Sequence, residues 1–231
     1  MRAMGWLMVV ATYAVIAALY LRLGLHALAW WEATRRAPRS KPQGIVAALR
    51  SAAGAALDIV LLRRLLVVNP ALWVGEWVLH GSLALIMLRH LRYFVNPVPA
   101  WVLWALTPGW IAGFLLPAAI GYILFVRLLT GNEKFSSTAN LLLLLDILAI
   151  AVTGLLMSTR FRVDLVQVKL YASGIVTFHP APPPQSPLLF VHLILVLILV
   201  ASIPSHVFSA PLTILDARRR ALELRRIMHD A

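Results

Sequence analysis

The sequence predicts an all-α integral membrane protein: a bundle of five transmembrane helices, with an amphipathic helix lying in the interface between the first and second spans. Three observations predict it. The chain of 231 residues is 61% hydrophobic with a mean hydropathy of +0.85, which is the composition of a membrane protein and not of a soluble core. Five apolar stretches, residues 4–31, 72–94, 101–129, 139–158 and 187–211, are near or above the length of about 20 residues that crosses a bilayer. Several of these stretches carry ionisable side chains. A charge at membrane depth costs roughly 3 kcal/mol on insertion scales, so such helices turn those groups inward. The whole chain, 1–231, reads as one membrane domain, with no internal repeat.

Charge and cysteine content narrow the function. The formal net charge is +12, but the arginines flank apolar spans. Headgroup contact, topology and docking of an acidic partner account for them, and nucleic acid is not expected as a partner. There are no cysteines. Disulfides, thiolate-held iron–sulfur clusters and covalent c-type haem are therefore excluded, and any iron in this chain has to be held by histidine.

Taken in order, residues 4–31 are too long for a signal peptide and end in Trp30 and Trp31, an interfacial anchor. Arg22 lies inside this span, and His26 near its end reads as solvated or structural. Residues 32–71 are basic and then amphipathic, interrupted by Arg50, Asp58, Arg63 and Arg64, and read as a helix in the interface or a weak span. Counting Lys and Arg decides: five spans put about fourteen on the side of this loop against about six opposite. Six spans leave the sides nearly equal. The positive-inside rule thus places the N-terminus outside and the C-terminus in the cytoplasm, in the cell membrane. The third span, 101–129, is expected to kink at Pro117. The fourth contains Asp146. Residues 159–186 read as an outer loop, and 212–231 as a basic cytoplasmic helix.

The span at 72–94 organises the rest. It carries Glu76, His80, Arg89, His90 and Arg92, so it belongs inside the bundle. The last span answers it with His192 and His206. His80 and His90 are separated by about 15 Å of helical rise, and His192 and His206 by about 21 Å. Set antiparallel, His80 falls level with His206 and His90 level with His192. Paired imidazoles across two helices are the geometry of six-coordinate haem, and two such levels would hold two haems. Gly75 and Gly81 are expected to let a flat macrocycle approach the backbone.

His80-x9-His90, the VTFHP motif at 176–180, His192 and the run HVFSAP beginning at His206 resemble the membrane cytochrome b (gamma) subunit of respiratory nitrate reductase. The resemblance covers most of the chain from Leu72 onward and includes the fourth span and the turn before it, Ser136 to Met157. It extends to the cytochrome b subunits of heterodisulfide reductase and of dissimilatory sulfite-reduction complexes, which the insert Pro38 to Pro70 resembles more. It implies a dihaem subunit in which His80 and His206 bind the haem nearer the cytoplasm, and His90 and His192 the outer one. Quinol would be oxidised beside the outer haem, and electrons would pass to an iron–sulfur subunit and a catalytic reductase subunit. His179 of the VTFHP motif is not a ligand in this pattern. The chain departs from it in the spacing of fourteen between His192 and His206, in lacking a lysine in the third span, and in having Arg89 where a glycine usually stands.

Other residues take roles around this frame. Glu76, one turn before His80, reads either as the acceptor for its second ring nitrogen or as a carboxylate among headgroups. Arg89 and Arg92 read as partners of haem propionates, with snorkelling to the surface as the alternative for Arg92. Arg22 reads as half of an ion pair with Asp146, or as a propionate partner of the inner haem with Asp146 in a proton path. From other function classes, a haem-free proton-coupled transporter or a cofactor-free membrane anchor stays open.

Overall fold

The computed structural model describes residues 2–36, 45–130, 138–206 and 228. Among them the chain is all-helical: α1 (Arg2–Arg36), α2 (Ile45–Val60), α3 (Arg63–Val68), α4 (Pro70–His90), a 3₁₀ turn at Leu91–Tyr93, α5 (Ala100–Trp104), α6 (Leu106–Thr130), α7 (Thr138–Thr159), α8 (Leu165–Thr177) and α9 (Pro187–His206). Five helices are long and apolar enough to cross a membrane: Ala3–Glu32, Pro70–Tyr93, Leu106–Thr130, Thr138–Thr159 and Pro187–Pro204. Each overlaps one of the five expected spans. The tail at 212–231 lies outside the described residues, apart from Met228, as do 207–211 of the HVFSAP run.

Two expectations are corrected. The third span does not begin at Trp101: α5 is a separate short helix begun by Pro99, and the span itself starts at Leu106. The segment 159–186 is not all loop, because it holds α8. Asp164 caps that helix, its carboxylate accepting from the backbone N–H of Val166 at 2.9 Å and of Gln167 at 3.3 Å, which supplies acceptors for orphan donors of the first turn.

The structure divides into two units, Met1–Ala17 with Ala71–Ala201, and Ala18–Pro70 with Ser202–Ala231. In the first, α6 supplies the core. Leu116, Ile120 and Ile123 are fully buried, with Ala112, Ala119 and Val126 on the same side, and α7 packs against this helix. Helix α4 meets α6 through two glycines. A Cβ on Gly75 would lie 2.7 Å from Ile123 Cγ1, and one on Gly109 would lie 2.7 Å from Arg89 Cβ and 2.8 Å from the Leu85 carbonyl. Gly75 is thus a helix-contact residue rather than an opening for a macrocycle; Gly81 has open space beside it.

Helix α8 is tied to the first half of α1. Thr12 Oγ1 and the Tyr171 hydroxyl are 2.7 Å apart, and the Tyr13 hydroxyl donates to the Ile175 carbonyl at 3.1 Å. Val9, Tyr171 and Ile175 form a buried cluster with Tyr13, Ile16 and Leu193 around it. At its end Phe178 adopts a left-handed conformation (φ 59°), and its ring stacks on Tyr13 at 6.1 Å. The chain then folds back so closely that a Cβ on Gly174 would meet the His179 carbonyl at 2.5 Å; only glycine fits there.

In the second unit, α2 is 16 residues long and packs on α3 across a break where Leu62 takes φ 47°. Helix α2 falls short of a span.

Candidate functional site

Histidine chemistry starts from which ring nitrogen holds the proton. His90 Nδ1 lies 2.7 Å from the Ile86 carbonyl, and His80 Nδ1 lies 2.7 Å from the Glu76 carbonyl. A carbonyl only accepts, so in each ring Nδ1 carries the hydrogen and Nε2 keeps a bare lone pair. His192 reaches the same state by another route. Its Nδ1 is 2.8 Å from Thr153 Oγ1, and that hydroxyl has two carbonyls of its own helix to donate to, Ala149 at 2.8 Å and Ile150 at 3.0 Å. The hydroxyl therefore accepts from Nδ1–H. All three imidazoles are in the tautomer that presents Nε2 to a metal, with the other nitrogen anchored, as histidine ligands require.

The elements set where these rings stand. His90 is the last residue of α4 and His192 lies in the second turn of α9, both in the first unit. Gly154 leaves room for the second ring, its Cβ position being 3.4 Å from His192 Cε1. Beyond His90 the 3₁₀ turn brings Tyr93 edge-on to the His90 ring at 5.8 Å. Arg92 lies over the Tyr93 ring at 4.7 Å and donates from Nη2 to the Tyr93 hydroxyl, while its Nε is buried without a hydrogen-bond partner. Arg89 packs under Gly109. From α8, Lys169 donates to the Asn96 side chain at 3.2 Å, closing the same end of α4.

At the other level, His80 is exposed. Glu76 does stand over it, but the ring donates to the Glu76 main-chain carbonyl, and the carboxylate is 3.9 Å from Nδ1. That carboxylate is neither the ring's acceptor nor a free headgroup contact. It pairs with Arg127 of α6, Oε1 to Nη2 at 3.3 Å, in a partly closed setting where the side chains are 17% and 15% exposed. His206 ends α9, and its side chain lies outside the described residues. Arg22 is exposed in the second unit. Asp146 is in the first, with Oδ2 buried and without a hydrogen-bond partner. His179, in the segment after α8, is exposed and bonds locally to the Thr177 carbonyl at 2.8 Å.

Thr153, Gly154 and Arg127 are site residues that sequence reasoning did not single out. Arg127 left a signal, being the one basic residue of the third span as Glu76 is the one acid of the second. Thr153 left none. Among the described residues no cluster of three or more His, Asp or Glu gathers as for a bare metal ion. A porphyrin iron needs only two protein ligands, because the macrocycle supplies the others.

Two curated relatives match the chain. One, from Archaeoglobus profundus, is 32% identical over 149 residues, 58% of this chain and 44% of the relative. The other, from Archaeoglobus fulgidus, is 27% identical over 149 residues, 58% of this chain and 45% of the relative. Both are named Hdr-like menaquinol oxidoreductase cytochrome b-like subunit. The chain is similar to a cytochrome b-like subunit. These names fall on the heterodisulfide-reductase side of the resemblance drawn from the motifs, not on the nitrate reductase side that the motifs put first. The chain spans less than half the length of these relatives. No family model and no solved structure matches it.

Proposed function

We propose that this chain is the membrane cytochrome b subunit of a quinol-oxidising electron-transfer complex of the heterodisulfide-reductase-like kind. Five spans would hold two b haems, one between His90 and His192 and one between His80 and His206. The observation that supports the reading is that His90 and His192, on different helices of the first unit, each have Nδ1 engaged by a hydrogen-bond partner. The relatives' shared name points the same way and suggests menaquinol as the donor.

The residues present fit haem. Three rings offer the correct nitrogen, and the orphaned Arg92 Nε beside His90 offers a buried donor to a propionate. Arg89, next to His90, adds positive charge at the same level, and Arg22 would act at the inner level. Bound haem would supply one-electron chemistry between a two-electron quinol and a one-electron iron–sulfur acceptor. The chain's part is to hold both rings, exclude water with the apolar core of α6, and set the local field. Ile86 and Glu76 fix ring orientation through their carbonyls, and Thr153 does so through its hydroxyl.

In this reading the N-terminus faces outward, quinol is oxidised at the His90 end with protons released outside, and electrons leave toward the cytoplasm. There an iron–sulfur subunit docks, attracted by the basic insert and tail, and the terminal reductase site is on a further subunit. Helix α2 would lie in the interface. The test is the purified chain in detergent. It should show a reduced b-type absorption band, two haems per chain, and reduction by a menaquinol analogue. A pigment-free preparation of the intact assembly would favour the transporter or anchor instead.

A further inference from the structure

Helix α8 lies between the fourth and fifth spans and is too short to be a span itself. Its inner side is packed. Tyr171, Ala172, Gly174 and Ile175 are buried, and Tyr171 and Ile175 cluster with Val9, Tyr13 and Ile16 of α1. Its outer side is apolar as well: Leu165, Val166, Leu170 and Val176 are each more than half exposed. A helix that faces water carries polar residues on that side, so something apolar covers this one.

The contacts with α1 set how deep the helix lies. The crossing stretch of α1 is Ala3–Glu32, and a bilayer takes about 20 residues of it. Any such window includes Tyr13 and Ile16, so α8 packs on residues at membrane depth. The chain after α8 then returns toward the start of α1. Pro182 lies against Gly5, where an added Cβ would meet the proline Cβ at 2.9 Å. Gly5 is about 10 Å of helical rise nearer that end than Thr12, the residue that Tyr171 touches. The segment thus dips to the level of a span and comes back.

Polar groups along α8 suit such a place. Ser173 donates to the Lys169 carbonyl at 2.6 Å, Thr177 to the Ser173 carbonyl at 2.9 Å, and Lys169 Nζ to Asn96 Oδ1 at 3.2 Å. Polar groups in lipid need such internal partners, because no water answers them. Arg160 and Arg162, just ahead of the helix, are exposed. Cations beside an apolar face are what anionic headgroups over acyl chains attract.

We infer that the outward face of α8 is seated in one leaflet of the bilayer, at the boundary of headgroups and acyl chains. The inference holds whether or not the chain carries haem. The same helix packs on the 3₁₀ turn after His90, so the leaflet reaches that end of α4.

Nitroxide labels test it, on the full chain with its partner subunits in vesicles of phosphatidylcholine and phosphatidylglycerol. The chain has no cysteine, so Val166→Cys and Leu170→Cys each give one labelling site, labelled before the partners are added. Phe125→Cys, at an exposed position of α6, is the lipid reference. Oxygen concentrates among acyl chains and a nickel chelate in water. Power saturation should give more oxygen than nickel collisions at both positions, as at Phe125→Cys. More nickel than oxygen at either position overturns the inference and puts α8 in water. Exclusion of both reagents overturns it too, and assigns the face to a partner subunit. Should one variant fail to accumulate, the other decides alone.

Discussion

Thr153 Oγ1 lies 2.8 Å from His192 Nδ1, and the same hydroxyl donates to the Ala149 carbonyl one turn earlier on α7. The contact fixes a ring on the fifth span from the fourth, so α7 takes part in the site without contributing a proposed ligand. Thr153→Val keeps the shape and removes the acceptor. It leaves a buried N–H unsatisfied, at a cost of about 1–3 kcal/mol. It also withdraws electron density from the ring, so the midpoint potential of the haem at His192 should rise while the other stays fixed. A redox titration followed optically reads both, and an unchanged pair of potentials contradicts the role.

Gly109 is the point where α6 passes under α4, one turn before His90. A Cβ there would sit 2.7 Å from Arg89 Cβ and 2.8 Å from the Leu85 carbonyl, and a backbone oxygen cannot step aside cheaply. Gly109→Ala should destabilise by about 1–3 kcal/mol, as overpacking does, and reduce haem retained at His90. Gly121→Ala, which meets nothing within 4 Å, is the control. Thermal unfolding of the two variants in one detergent separates them; equal stability would show that the helices slide freely.

The Glu76–Arg127 pair makes a different prediction. Glu76→Gln leaves an enclosed guanidinium without its countercharge and should destabilise by about 3 kcal/mol. Adding Arg127→Gln to Glu76→Gln should recover part of that loss, because both charges are then gone. Additive losses in this double-mutant cycle would mean that the two groups do not interact.

Tyr171 gives a pH signature outside the membrane spans. Burial pushes its phenol above the usual value of 10.0, and the hydrogen bond with Thr12 pulls the other way. The folded state therefore prefers the neutral phenol. Its contribution is whole below the usual tyrosine range and fades as pH rises through that range toward the raised folded value. Tyr171→Phe should lose about 1 kcal/mol at neutral pH through the missing hydrogen bond, and should be less sensitive to alkali than wild type. Equal alkaline sensitivity would count against it.

The five spans were legible because each is a continuous apolar run of crossing length, and the charge asymmetry of the loops rejected a sixth. The four histidines proposed as ligands stand out in the sequence because imidazole is out of place in such runs. Helix α8 was hidden: its thirteen residues, Leu165–Thr177, show no sharp amphipathic period, and what starts the helix is a single capping carboxylate, Asp164. The break between α5 and α6 was hidden for a similar reason, since apolar residues continue across it. Gly75 misled, because a glycine beside a ligand reads the same whether it admits a macrocycle or a neighbouring helix; here Ile123 and Tyr122 occupy the space. Thr153 could not have been found, because its role depends on the facing of α7 and α9, which no local pattern encodes.

Haem stoichiometry in His90→Ala and His192→Ala tests most directly whether these two residues share one iron. Each variant should retain half the haem of wild type, and the haem that remains should be the same one in both, with identical potential and identical low-spin electron paramagnetic resonance signals. Loss of different haems in the two variants, or retention of both haems in either, would contradict the pairing.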